Sequence, residues 1–194
     1  MNYLAHSYLS FNDPNILVGN MISDFVKGKK KFDYPPAIQN GIMLHRAIDA
    51  FTDDHPATKH AKQFFKPAVG LYAGAFIDVA YDHFLANDSL EFTDEFLAGH
   101  AAETYTILTN NIAVLPAPFK AMLPYMIEHN WLYNYKSNWG MQQSFGGVAR
   151  RAKYLDSSTS VYLLFEKHYL ELLNCYKEFF PALKAYANAE FQLL

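Results

Sequence analysis

Several things are scarce in this chain, and each scarcity removes a class of function. Among 194 residues there is one cysteine, Cys175. That excludes an internal disulfide and a thiolate-rich metal site, and the lone thiol is read as a packed core group. No apolar run approaches the ~20 residues of a membrane span. The start, MNYLAHSYLS, has neither a basic n-region nor a cleavage site, so a cytoplasmic protein with no membrane association is expected. There is no excess of basic charge: the net charge is −3, which argues against a general grip on nucleic acid. Gly-x-Gly-x-x-Gly, a Walker loop and a Gly-x-Ser-x-Gly elbow are all missing. So is the Glu-x-x-His pair on which di-iron bundles depend.

The most informative scarcity is local. Residues 1–90 contain nine aspartates and no glutamate, whereas residues 91–194 contain two aspartates and all eight glutamates. Glutamate is the better helix former, so a helical segment built with Asp implies a need for the shorter carboxylate. Asp13, Asp33 and Asp88 fit capping or turns. Asp24, Asp49, Asp78 and Asp82 do not.

What is present is helical pattern nearly throughout, with no convincing alternating run. A first helix is expected over residues 2–10. A second starts at Asp13-Pro14, with Asp as N-cap and Pro in the first turn, and runs to Phe25 or Val26. Residues 27–31 read as a loop. Further helices are expected over about 36–53, 56–66 (broken by Pro67) and 69–87, with Thr93 capping the next. Residues 116–124 read as irregular or helical in short pieces. Helices then follow over 125–136, 138–153 and 158–192, the last kinked near Pro181. With half the residues hydrophobic and 18% charged, one all-α domain over residues 1–194, a single helical bundle, is the expectation.

Four polar clusters repeat a four-residue step, which stacks side chains on one helix face: Asn2-x-x-x-His6, Asn20-x-x-x-Asp24, His45-x-x-x-Asp49 and Asp78-x-x-x-Asp82-His83. A lone buried histidine is ordinarily a satisfied core residue, and His100, His129 and His168 keep that reading. Asp78 and Asp82 resist it. Like charges at this spacing repel, and among apolar neighbours an unpaired carboxylate is costly. A shared proton, an arginine or a cation must neutralise them. His45 and Asp49 supply a complementary half-cage. Imidazole and carboxylate ligands without thiolate suit Mn²⁺, Mg²⁺ or Fe²⁺. Arg46 is read as either a phosphate clamp or a surface ion pair. The basic runs Lys27, Lys29, Lys30, Lys31 and Arg150, Arg151, Lys153 are either solvated surface or docking sites for an acidic partner. Gly146-Gly147 is read as close packing or a hinge.

At these residues the chain resembles the acyl carrier protein phosphodiesterases, or ACP hydrolases. The similarity rests on Met1-Asn-Tyr-Leu-Ala-His6, Gly19-Asn-Met-Ile-Ser-Asp24-Phe-Val-Lys-Gly28 and Gly41-Ile-x-x-His45-Arg46-x-Ile-Asp49-x-x-Thr52-Asp53-x-x-Pro56. It continues through Asp78-Val-x-x-Asp82-His83-Phe-Leu85, with Trp131-Leu-x-x-Tyr135 and Gly147-x-x-x-Arg151 as weaker matches. The resemblance implies a divergent relative of the HD phosphohydrolases, although the only adjacent pair here, Asp82-His83, runs in the reverse order. It implies hydrolysis of the serine–phosphopantetheine phosphodiester of holo acyl carrier protein with a divalent metal, Mn²⁺ first. On that basis His6, Asp24, His45, Asp49, Asp78 and Asp82 form the expected ligand pool. His83 is a ligand or the general acid, Arg46 the phosphate clamp, and Thr52 and Asp53 supporting or capping residues. Two alternatives stand beside this reading: a related phosphohydrolase acting on a nucleotide or other small phosphoester, and a non-catalytic helical binding module.

Overall fold

The computed structural model describes residues 1–152 and 159–194, with the side chains of Thr159 and Ser160 left out. The described residues form helices α1 (Tyr3–Tyr8), α2 (Pro14–Ile22), α3 (Pro36–Asp54), α4 (Pro56–Val69), α5 (Ala73–Ala86), α6 (Asp94–Asn110), α7 (Ala117–Glu128), α8 (Trp131–Asn134), α9 (Asn138–Arg151), α10 (Thr159–Lys167) and α11 (Tyr169–Phe191), with no strand among them. Short 3₁₀ turns cover Ser23–Phe25, Gly28–Asp33, Gly70–Tyr72 and Ile112–Val114. The all-α expectation holds.

The starts follow local chemistry. Asp13 accepts the amides of Asn15 and Ile16 with Pro14 at the first helical position, Thr93 accepts from Phe96, and Ser137 accepts from Gly140. These satisfy donors the helix cannot. Several boundaries differ from expectation: α2 ends at Ile22, α5 starts at Ala73 and the helix expected over 125–136 is divided between α7 and α8. The loop at 27–31 is a 3₁₀ turn, Pro67 sits inside the last turn of α4, and residues 117–128 are one helix through Pro124. The expected long C-terminal helix is interrupted at His168, whereas α11 runs unbroken through Pro181. The expected ends at 153 and 158, and Lys153, lie outside the described residues.

Helix α5 is the centre of the bundle. Phe76, Ile77 and every residue from Val79 to Ala86 are buried, packed against aromatic residues such as Phe145, Phe165, Tyr176 and Phe179. Helices α2 and α3 cross with their backbones in contact. A Cβ on Gly19 would lie 2.1 Å from Ile38 O, and one on Gly41 would lie 2.3 Å from Ile16 O. Only glycine permits that approach. The crossing sits one residue before Asn20 and four before His45, so it brings those two together.

Candidate metal centre

The centre is built on this crossing. His6 of α1 and His45 of α3 lie with their rings stacked, centroids 3.9 Å apart, both buried. One residue orients both. His6 Nδ1 lies 2.8 Å from Asn20 Oδ1, and His45 Nδ1 lies 2.7 Å from the Asn20 carbonyl oxygen. Asn20 Nδ2 donates to His6 O and Ser10 Oγ, so its Oδ1 is an acceptor. A carbonyl only accepts. Both Nδ1 atoms are therefore the donors, and both Nε2 atoms carry a lone pair when the rings are neutral.

Those Nε2 atoms converge on carboxylates. His6 Nε2 is 3.2 Å from Asp49 Oδ1, His45 Nε2 is 3.0 Å from Asp49 Oδ2, and His45 Nε2 is 3.4 Å from Asp24 Oδ1. Both Nε2 atoms are buried, and neither has a hydrogen-bond partner of acceptable geometry among the described residues. Lone pairs facing carboxylate oxygens repel unless a cation lies between them. That cation is a proton or a metal ion. Right-angle ligands at ~2.1 Å from one ion sit about 3 Å apart, which the observed separations match. The donor set, two imidazoles and carboxylate oxygen, fits a hard or borderline divalent ion. Asn20 supplies the outer hydrogen bonds such ligands ordinarily have.

Protonation equilibria carry the same message. Burial, together with the adjacent His45, pushes His6 down to about 4. Burial also opposes charge on His45, yet the carboxylates of Asp24 and Asp49, 3.4 Å and 3.0 Å from its Nε2, overcome it and hold His45 up at about 9. Asp49 falls well below the usual carboxylate range: burial opposes this, but the two imidazoles outweigh it. The pair of rings thus holds one proton, in the place a metal ion would take. The imidazoles form a buried floor, while Asp49 and Asp24 stand at the open rim with side-chain exposures of 43% and 67%. A cleft of about 240 Å³ opens beside Asp24, with Tyr72, Asp78 and Arg151 also in its walls; His6, His45 and Asp49 lie behind Asp24 and not in that lining.

Other residues of the expected site are placed differently. Asp82 is fully buried, and its carboxylate accepts the backbone N–H groups of Asn2 at 3.0 Å and Leu4 at 2.7 Å. It caps the start of α1 from outside the helix, so it positions His6 and does not face the imidazoles across an ion. Burial pushes it up to about 7, against the pull of the Met1 amino group and of the backbone donors. Asp78 Oδ1 takes the Met1 amino group at 2.9 Å; the same nitrogen is 3.9 Å from Asp49 Oδ1. Asp78 therefore adjoins the centre through Met1, with its oxygen committed there.

His83 is buried away from the cleft, between Tyr135 O and Tyr169 OH, and burial lowers its pKa. It is not placed to protonate a leaving group at the rim. Arg46 donates to Val26 O at 2.9 Å, which pins the segment carrying Asp24. Thr52 bonds back to Ile48 O, and Asp53 pairs with Lys62.

A family model described as acyl carrier protein phosphodiesterase matches residues 1–183. The chain belongs to the acyl carrier protein phosphodiesterase family. Curated relatives with that name include one from Salmonella paratyphi A, 32% identical over 192 residues, which is 96% of this chain and 97% of the relative. Another is from Salmonella agona, 31% identical over the same span and the same shares. No solved structure matches. The family is one of enzymes, and the match takes in His6, Asn20, Asp24, His45 and Asp49 together. No described helix is long and apolar enough to cross a membrane.

Proposed function

We propose that this chain hydrolyses the serine–phosphopantetheine phosphodiester of holo acyl carrier protein, releasing apo carrier and 4′-phosphopantetheine, with a divalent ion, Mn²⁺ first, bound by His6, His45, Asp49 and Asp24. The observation that carries this reading is the pair of buried Nε2 lone pairs directed at Asp49, which need a cation. The relatives' name supplies the substrate class.

When bound, such an ion supplies Lewis acidity to a phosphoryl oxygen and a water of lowered pKa. The chain's own residues do the rest. Asn20 holds both imidazoles by their Nδ1–H groups, so neither ring turns. Asp49 spans them with its two oxygens. Asp24 sits at the rim, where a diester enters from solvent. In the reaction water adds to phosphorus, the bond from phosphorus to the serine oxygen breaks, and that oxygen is protonated. The substrate is an acidic protein, and the exposed lysines 27, 29 and 30, the half-buried Lys31 and the exposed arginines 150 and 151 offer complementary charge. With that substrate, a cytoplasmic location is the expectation.

The test has two parts. Calorimetry with Mn²⁺ on chelator-treated protein should show saturable binding that is lost in Asp49→Asn. Holo carrier should lose the phosphopantetheine mass. Absence of Mn²⁺ binding would end the metal reading. Binding with nucleotide hydrolysis but no carrier conversion would select the small-phosphoester alternative.

A further inference from the structure

A second cavity, of about 490 Å³, adjoins the metal cleft and shares Asn2, Tyr3 and Arg151 with it. Its size is that of a small-molecule site, for which ~300–1,000 Å³ is usual. Its walls carry Met122, Tyr125, Trp131 and Trp139, with the amides of Asn134 and Gln143. Tyr125 and Trp139 are 59% and 50% exposed, so large aromatic faces are left to solvent at a concave surface and not spent on the core.

The cavity is built to hold this shape. Asn130 adopts the left-handed conformation, φ 42° and ψ 58°, which an L residue other than glycine seldom takes, and so turns α7 into α8 where Trp131 begins. Gly140 lies against α8 so closely that a Cβ would meet Asn134 O at 1.9 Å, which fixes α8 on α9. Asn134 Nδ2 donates one hydrogen to His129 O, which orients the amide toward the cavity with its oxygen and second N–H available to a ligand.

The wall supplied by α9 is directional. Trp139, Gln143, Gly147 and Arg151 all line the cavity, and their four-residue spacing makes one stripe. At 1.5 Å per residue it extends about 18 Å from an aromatic end to a guanidinium at the metal cleft. We propose that this cavity holds the pantetheine arm of the substrate and that Arg151 contacts its phosphodiester; this rests on the function proposed above. The arm is a neutral, linear chain of methyl and methylene groups broken by two amides. Extended, at bond lengths of ~1.3–1.5 Å, it spans roughly 15–20 Å. It matches walls in which aromatic surface is interspersed with amide and hydroxyl groups, with the guanidinium groups of Arg150 and Arg151 at the cleft end. A nucleotide is compact and would leave the Trp139 end unfilled.

Both tryptophans of the chain line this cavity, so intrinsic fluorescence reads it without catalysis. Titration with pantetheine should give a saturable change in emission, and 4′-phosphopantetheine should bind more tightly than pantetheine. Adenosine should give no change. In Arg151→Ala the advantage of the phosphorylated ligand should vanish. In Gly147→Leu, whose Cβ would meet nothing nearer than a guanidinium nitrogen of Arg150 at 3.9 Å, on a helix that favours it, pantetheine affinity should fall about tenfold or more. The ratio of activity on holo carrier to activity on bis(4-nitrophenyl) phosphate should fall likewise. Unchanged emission with millimolar pantetheine, a response to adenosine alone, or a wild-type ratio in Gly147→Leu would overturn the assignment. If wild-type protein cleaves no diester, the catalytic reading fails by itself, and the fluorescence titration still decides the cavity.

Discussion

Asp82→Asn separates a ligand from a positioning residue. At pH 8, above the value of about 7 to which burial raises this group, Asp82 is ionised and accepts from Asn2 N–H and Leu4 N–H. The substitution turns one acceptor oxygen into an NH₂ group that faces a backbone N–H. One buried donor then loses its partner, at ~1–3 kcal/mol, and the new NH₂ is buried without an acceptor at similar cost. Together this comes to about 2–6 kcal/mol. For a chain of this length each kcal/mol moves the midpoint by ~2–4 °C, so Tm should fall by roughly 4–24 °C in a circular-dichroism melt. The metal ligands themselves are untouched. Mn²⁺ affinity at a temperature where the variant is folded should weaken by no more than about tenfold, through slack in α1. An unchanged Tm combined with loss of Mn²⁺ binding would refute this reasoning and return Asp82 to the ligand set.

Three further outcomes follow from the same geometry. Asn20→Ala removes the acceptor of His6 Nδ1–H; calorimetry should show Mn²⁺ binding weakened by ~10–100-fold, and wild-type affinity would sink the orienting role. Gly19→Ala drives a methyl group to 2.1 Å from Ile38 O; denaturant titration should show a loss of ~1–3 kcal/mol or more, and a neutral result would mean the helices do not cross this closely. For chelator-treated protein, the stability contributed by His45, raised to about 9, is full below the unfolded value of about 6.5 and is lost as pH climbs through 9. His6, lowered to about 4, works oppositely, and its contribution is lost as pH falls from about 6.5 toward 4. Above about pH 7, where Asp82, raised to about 7, has already lost its contribution, the midpoint should fall toward pH 9, and Mn²⁺ affinity should rise between pH 7 and 9 as His45 releases its proton to solvent and frees its lone pair for the ion. A midpoint still climbing at pH 9 contradicts this.

What the sequence by itself determined is local and periodic. The helical pattern, the caps at Asp13 and Thr93, and the stripe that sets Asp49 one turn beyond His45 follow from side-chain chemistry over a few residues. The motif set was sufficient to name the family. Spacing also put Asp78 and Asp82 on one face, but it could not say what that face meets. The tertiary structure decided that. The start of α1 docks on α5, and a buried carboxylate beside free backbone N–H groups is consumed by them before it can serve a metal. Asn20 was visible as a polar residue, yet its hold on two histidines from different helices exists only because Gly19 and Gly41 let α2 and α3 touch. The aromatic cavity was nearly invisible, since its walls come from residues 2 to 151 and its key glycine, Gly147, signals only by leaving space. One-dimensional spacing fixes which side chains share a face of one helix; which faces meet depends on packing between helices, and the centre and its neighbouring cavity are made at those meetings.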